Sequence, residues 1–375
     1  MLNGSALIAE AQRRRGLQDL GEDSFREPLE RLVDSINRES KMTPFGEAAL
    51  PEMLIRALTN RLEIEDWYRR HPEIEEEEIV APLFGVGMPR TGSTLLASLL
   101  SLDPQTRWLR QWESLSPCPP PIKGQSDFRV RNAEEWFRDF RVKSPDVFAM
   151  IPLGIDEPTE DNDLMYNSFC IDYYYVFSNC PSFLEWFYDP ARDFSFGYRY
   201  HKRTLKLLQW RYPPKRWSLK LPSHSQMIEG LNKVYPDARF VWTHRDPVKV
   251  LPSVSRLVEV VRAPYLEDAQ MDEFAATQSR IWELAMRRLV NFRTQHENRF
   301  FDVHHTDLLK NSPKEIERLY KWLGWPLDRT MADTILSWRD AHPRQDHSYR
   351  AESNRFDPAD LRRRFAFYTD RFGTQ

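Results

Sequence analysis

Apolar residues recur at helical spacing in the first part of the chain. Between residues 24 and 69, Leu29, Leu32, Val33 and Ile36 share one face, and Met53, Leu54, Leu58, Leu62 and Ile64 share another. The stretch HPEIEEEEI follows, and its four consecutive glutamates read as a solvated connector. At IVAPLFGVG (79–87) the pattern changes. This run is apolar, partly β-branched and closed by glycines, which predicts a buried strand. TGSTLLASLLSL comes next and predicts a helix, with Leu95, Leu99 and Leu102 on one face and Pro104 ending it.

The same alternation returns downstream. RWSLKL (216–221) reads as a strand, SHSQMIEGLNKVY (223–235) as a helix, and ARFVWTH (238–244) as another strand. The helix that follows opens with Asp246 as N-cap and Pro247 at its first position. Residues 269–295 and 313–323 have helical periodicity, and FFDVHHTDLL between them reads as a short strand and turn. Alternating strands and helices imply an α/β fold, P-loop-like, with a central parallel sheet in a three-layer αβα arrangement. The expected organisation is an N-terminal helical segment over 1–78 and an α/β domain over 79–375. An insert at about 115–215, rich in Pro, Trp, Tyr and Phe, would cover the ligand edge.

Composition narrows the functional classes. Of 375 residues, 41% are hydrophobic, and 53 basic residues against 56 acidic ones leave a net charge of −3. Bulk charge therefore gives no reason to expect a nucleic-acid partner. Cys118, Cys170 and Cys180 are too few and too scattered for a disulfide framework or a paired-cysteine metal site. MLNGSALIAEAQRRR lacks the order of a signal peptide, and no apolar run approaches the roughly 20 residues that span a bilayer. The expectation is a cytoplasmic protein with reduced thiols and no transmembrane segment. Oligomeric state is not legible.

The chemistry starts at GVGMPRTGSTLL (85–96). Gly87 and Gly92 stand at the spacing of a phosphate-binding loop, but Ser93 occupies the position of the usual lysine. Backbone N–H groups from Gly87 to Ser93 and the following helix N-terminus would form a nest for phosphate oxygens, with Ser93 and Thr94 adding hydroxyls. An arginine, Arg90, sits inside the loop. The later strand ends in His244-Arg245-Asp246, not in the lone aspartate that holds magnesium in P-loop kinases. Arg245 and Ser253, eight residues on, would grip a further phosphate away from the first nest. No histidine pair has the spacing of a zinc helix motif, so no metal is expected.

These segments resemble the PAPS-dependent sulfotransferases (PAPS is 3′-phosphoadenosine 5′-phosphosulfate). The likeness is to the bacterial branch that shares its pattern with the tyrosylprotein sulfotransferases. PRTGST, comprising Pro89, Arg90, Thr91, Gly92, Ser93 and Thr94, matches the loop that holds the 5′-phosphosulfate. RDPVKVLPS (245–253) matches the 3′-phosphate segment, LKLP supplies Lys220, and Trp112-Glu113 before PCPPP matches a Trp-Glu pair. YKWLGWPL (320–327) and the tail RFAFYTDRFG extend the likeness over nearly the whole chain.

The resemblance implies sulfuryl transfer from PAPS to a hydroxyl on a small-molecule alcohol, a phenol, or a lipid or carbohydrate, with PAP released. Arg90 and Lys220 would carry the charge of the leaving group. Glu113 is the first choice for the base that deprotonates the acceptor, and His224 is the second. Two other readings stay open on the residues alone: a P-loop phosphotransferase with a degenerate loop, and a catalytically silent nucleotide-binding protein. Phe148, Tyr166, Phe169, Tyr173 to Tyr175, Phe177 and Trp186 to Tyr188 would line an acceptor cavity or simply fill a core. The acidic run Asp156-Glu157 and Glu160-Asp161 reads as a solvated loop, with a lid element or a contact for a cationic acceptor as alternatives.

Overall fold

The computed structural model describes residues 1–143, 154–214, 216–342 and 355–374. Five strands form one sheet: β1 (Leu83–Val86), β2 (Thr106–Arg107), β3 (Arg216–Lys220), β4 (Arg239–His244) and β5 (Phe300–His304). Their order is β2-β3-β1-β4-β5 and every pairing is parallel. The register sets Gly85 opposite both Lys220 and Val241, so the loop after β1 emerges between the ends of β3 and β4.

Side chains alternate across the sheet with period two. Phe84, Phe240 and Trp242 enter a large core that also takes in Leu29, Leu32, Leu54 and Leu58 of the N-terminal helices. Leu83, Val241 and Val303 point the other way, into a second core with Leu96, Leu99, Ile316 and Leu319. Apolar burial on both faces is why β1 and β4 read as continuous hydrophobic runs.

Seventeen helices among the described residues matter to the layers. α1 (Gly4–Arg15), α2 (Arg26–Glu39) and α3 (Pro44–Arg70) precede the sheet, and α4 (Ser93–Leu100) follows β1. The insert holds α5 (Gln111–Leu115), α6 (Phe128–Lys143), α7 (Asn162–Tyr166), α8 (Tyr174–Phe177), α9 (Pro181–Phe187) and α10 (Ser195–Gln209). Beyond β3 come α11 (Ile228–Val234), α12 (Pro247–Arg262), α13 (Met271–Gln295), α14 (His305–Lys310), α15 (Ser312–Leu323), α16 (Met331–Ala341) and α17 (Pro358–Phe372). Caps explain several starts. Thr43 accepts from Gly46 N at 3.0 Å before α3, and Asp246 accepts from Val248 N at 3.0 Å before α12, as its Asp-Pro sequence predicts.

Three expectations are refined. The helix expected over 223–235 is a 3-10 turn at Pro222–Ser225 followed by α11. The glutamate run is not wholly solvated: Glu75 pairs with Arg203 and Lys206, and Glu77 accepts from Gln209, tying the connector to α10. Tyr166, Phe169, Tyr174, Phe183 and Phe187 are core residues, so this part of the aromatic density is packing. Phe148 lies outside the described residues. No helix among the described residues is long and apolar enough to cross a membrane.

Candidate active site

The β1–α4 loop is shaped by two left-handed positions, Arg90 (φ 62°) and Gly92 (φ 92°). Gly92 caps α4, and its conformation is cheap only for glycine. Arg90 has no such freedom, and its left-handed backbone costs on the order of 1 kcal/mol. Gly87 (φ 112°) is required for a second reason: a Cβ there would lie 2.8 Å from the Trp242 ring.

Not every loop group faces outward. The Gly87 N–H donates to Ser225 Oγ at 2.8 Å, so it is spent inside the protein. Thr91 is fully buried; its Oγ1 donates to Met88 O at 2.8 Å and lies 2.6 Å from Thr243 Oγ1. The Thr91 hydroxyl therefore locks the loop onto β4 and does not point to a ligand. Pro89, Arg90, Ser93 and Thr94 are partly exposed along the loop and the first turn of α4.

Side-chain contacts join the two segments expected to bind anions. Arg90 Nε donates to Ser253 Oγ at 3.2 Å, and Arg245 Nη1 donates to Arg90 O at 2.8 Å. The loop after β1 and the start of α12 thus form one strip. On the other side of the loop, Lys220 Nζ lies 3.4 Å from Thr94 Oγ1 and 2.9 Å from Glu160 Oε1. Lys220 thus reaches the first turn of α4 from the end of the neighbouring strand β3. Arg90, Arg245, Lys220, Ser93, Thr94 and Ser253 bring cations and hydroxyls together along this loop. This donor set fits PAPS.

Neither predicted base has the geometry of one. Glu113 is completely buried, and Arg107 holds its carboxylate in a bidentate pair at 2.7 and 3.0 Å. It also accepts from Arg110 N at 3.2 Å, capping α5. Both oxygens are committed to the protein, so Glu113 joins β2 to α5. His224 is also wholly buried, with Nε2 on Asp161 at 2.8 Å and Nδ1 on the Tyr198 hydroxyl at 2.8 Å. No ring nitrogen is left to receive a proton from an acceptor.

Glu160 is the carboxylate the sequence reading passed over. It is partly exposed, stands against Lys220, and has the Tyr173 hydroxyl 3.4 Å from its other oxygen. Sixty residues separate it from Lys220, and only its place in an acidic run marked it. His244, beside Arg245, is also structural: it bonds Asp302 at 2.8 Å and Tyr368 at 3.0 Å. Among the described residues no group of three or more His, Cys, Asp or Glu could hold a metal ion.

The model of the sulfotransferase family matches residues 82–329, which takes in the loop, Glu160, Lys220 and Arg245. The chain belongs to the sulfotransferase family. It is 28% identical over 260 residues to omega-hydroxy-beta-dihydromenaquinone-9 sulfotransferase Stf3 of Mycobacterium tuberculosis, covering 66% of this chain. The same figures hold for Stf3 of Mycobacterium bovis. The chain spans 64% of the length of these curated relatives. The crystal structure of sulfotransferase STF9 from Mycobacterium avium superposes with a TM-score of 0.92 at 30% identity, covering 100% of this chain and 98% of that one. Sulfotransferase STF1 from Mycobacterium tuberculosis follows with a TM-score of 0.81 at 26% identity, over 98% and 99% of the two chains.

Proposed function

We propose that this sulfotransferase moves the sulfuryl group of PAPS to the hydroxyl of an apolar, lipid-like acceptor and releases PAP. The observation that carries the reading is the convergence of Thr94, Lys220 and Glu160 beside a loop that Arg90 joins to Arg245 and Ser253. PAPS, when bound, supplies a sulfuryl group whose transfer forms an O–S bond to the acceptor and breaks the S–O bond to the 5′-phosphate. The protein's part is charge and proton management. Glu160 takes the proton of the attacking hydroxyl. Lys220 and Arg90 stabilise the negative charge left on the phosphate oxygen. Arg90 stays protonated, so it acts by charge and directed hydrogen bonds. Arg245 and Ser253 hold the 3′-phosphate.

Two observations support an apolar acceptor. The name of the relative Stf3 describes a sulfotransferase of a hydroxylated menaquinone. In this chain a cavity of about 490 Å³ opens between α3, α5 and α6, walled in part by Trp67, Trp112, Leu115, Phe128 and Ala133. Gln111, beside Trp112, accepts from the Thr159 hydroxyl next to Glu160, which connects that wall to the reacting side. Calorimetry against PAP and ATP without magnesium tests the donor. Tight PAP binding with none for ATP is expected, and the reverse would restore the phosphotransferase reading. A rate from PAPS that rises from 1-butanol to 1-hexadecanol tests the acceptor, and a preference for the short alcohol would overturn it.

A further inference from the structure

Behind Glu160 lies a polar chain closed off from solvent. Asp161 is at its centre and is fully buried. Its Oδ2 accepts from His224 Nε2 at 2.8 Å and from His201 Nε2 at 3.1 Å. Beyond them, the Tyr198 and Tyr235 hydroxyls each lie 2.8 Å from the Nδ1 of His224 and of His201. An ionised carboxylate only accepts, so both imidazoles donate to Asp161 from Nε2, and their Nδ1 atoms pair with the tyrosine hydroxyls. Burial by itself would raise the Asp161 carboxyl, but the two histidines outweigh it and hold it below the usual range, while burial lowers His201. Phe84 of β1 packs edge-on against His224, with centroids 5.0 Å apart.

The other side of Asp161 grips the backbone of Lys220. Its Oδ1 accepts from Lys220 N at 3.0 Å, and its own N–H donates to Lys220 O at 3.3 Å. Two hydrogen bonds between one pair of residues fix both the register and the angle of the 158–161 segment against the end of β3. Glu160 is the next residue. Its carboxylate meets Lys220 Nζ because its backbone neighbour is clamped to Lys220 itself. From the same 3-10 turn as His224, Ser225 accepts from Gly87 N. One buried assembly thus sets the base, the cation and the loop.

The geometry points to Asp161, held by His201 and His224, as a positioning residue for the Glu160–Lys220 pair. This inference rests on Glu160 being the base. It assigns a role to three groups that never touch substrate. It also explains why two histidines and two tyrosine hydroxyls are buried in a place that apolar side chains could fill.

The test is a double-mutant cycle read without turnover. Asp161→Asn keeps the size of the side chain and an acceptor for Lys220 N, but it sets an amide N–H₂ where two imidazoles donate. In the ligand-free protein, reductive methylation followed by peptide mass spectrometry reports on Lys220, with exposed Lys233 as the internal reference. Asp161→Asn should raise Lys220 labelling several-fold, and Glu160→Gln should raise it as well. Adding Asp161→Asn to Glu160→Gln should then do nothing more, because the pair is already broken.

Turnover, followed as PAP formed from PAPS with 1-hexadecanol, should fall about 10²-fold in Asp161→Asn and show the same lack of additivity. PAP affinity should hold. Should Asp161→Asn fail to fold, Tyr198→Phe, which removes one outer hydroxyl, takes its place in both cycles with a smaller rise. Unchanged Lys220 labelling in a folded variant, or effects that simply add, would overturn the positioning role alone. A Glu160→Gln enzyme with the wild-type rate would overturn the base and the positioning together.

Discussion

Replacing Glu113 by Gln should destabilise the protein without removing its chemistry. Arg107 and Glu113 are essentially inaccessible, joined by two hydrogen bonds, and Arg107 is flanked by the Tyr212 and Trp217 rings at 4.5 and 4.7 Å. The amide keeps the shape of the side chain but leaves the guanidinium buried without a counter-charge. Removing one partner of a buried pair costs about 3–5 kcal/mol. For a 375-residue chain the entropy of unfolding is about 0.8 kcal/mol/K, so Tm should fall by about 4–6 °C. Differential scanning calorimetry measures this, and the initial rate of PAP formation well below the new Tm should stay within about twofold of wild type. Glu160→Gln should do the opposite, with an unchanged Tm and a rate loss of about 10²–10⁴-fold. A Glu113→Gln protein that melts normally but loses turnover to that extent would refute the argument and make Glu113 the base.

Three further outcomes follow from the site. Arg245→Ala should weaken PAP by roughly 10- to 150-fold in calorimetry, the loss of one charge-assisted contact. It should leave adenosine 5′-phosphosulfate far less affected, because that ligand has no 3′ group; equal losses would remove Arg245 from the 3′ contact. Turnover should persist in excess EDTA, since Arg90 and Lys220 supply the positive charge; activity lost in EDTA and restored by magnesium would contradict this. Asp302 is held below the usual carboxylate range: burial opposes this, but hydrogen bonds from His244 and Arg293 outweigh it. Its contribution to stability is therefore complete above about pH 4 and fades as pH falls further. Asp302→Asn should flatten the fall in Tm below pH 4, and an unchanged acid slope would exclude this pair as its source.

Local signals carried much of the architecture. β1 and β4 were legible because both faces are buried, and the loop because two glycines and a following helix define it within a dozen residues. Arg90, Lys220 and Arg245 could be singled out for the same reason, since each lies at or just beyond a strand end inside a recognisable segment. What sequence could not show is pairing over distance. Glu113 looked available because its partner Arg107 lies on a two-residue strand, too short to have a period. His224 looked like a free imidazole because Asp161 is 63 residues away. Glu160 looked solvated because nothing local announces Lys220. In each case the decisive fact was which side chain had already been claimed by another part of the chain.

The parallel register has a consequence for how such a protein can change. Lys220 stands opposite Gly85, and successive side chains of a strand leave opposite faces of the sheet. Inserting one residue between Arg216 and Lys220 would turn the ammonium to the wrong layer, and no adjustment of a loop could bring it back. The helices of the insert lie under no such constraint of parity. Away from Glu160, Asp161, Tyr198 and His201 they can lengthen, shift or exchange side chains while the strand ends stay where they are. On the proposed function, acceptor preference can vary with the insert, while the donor side is tied to an all-or-none count of residues.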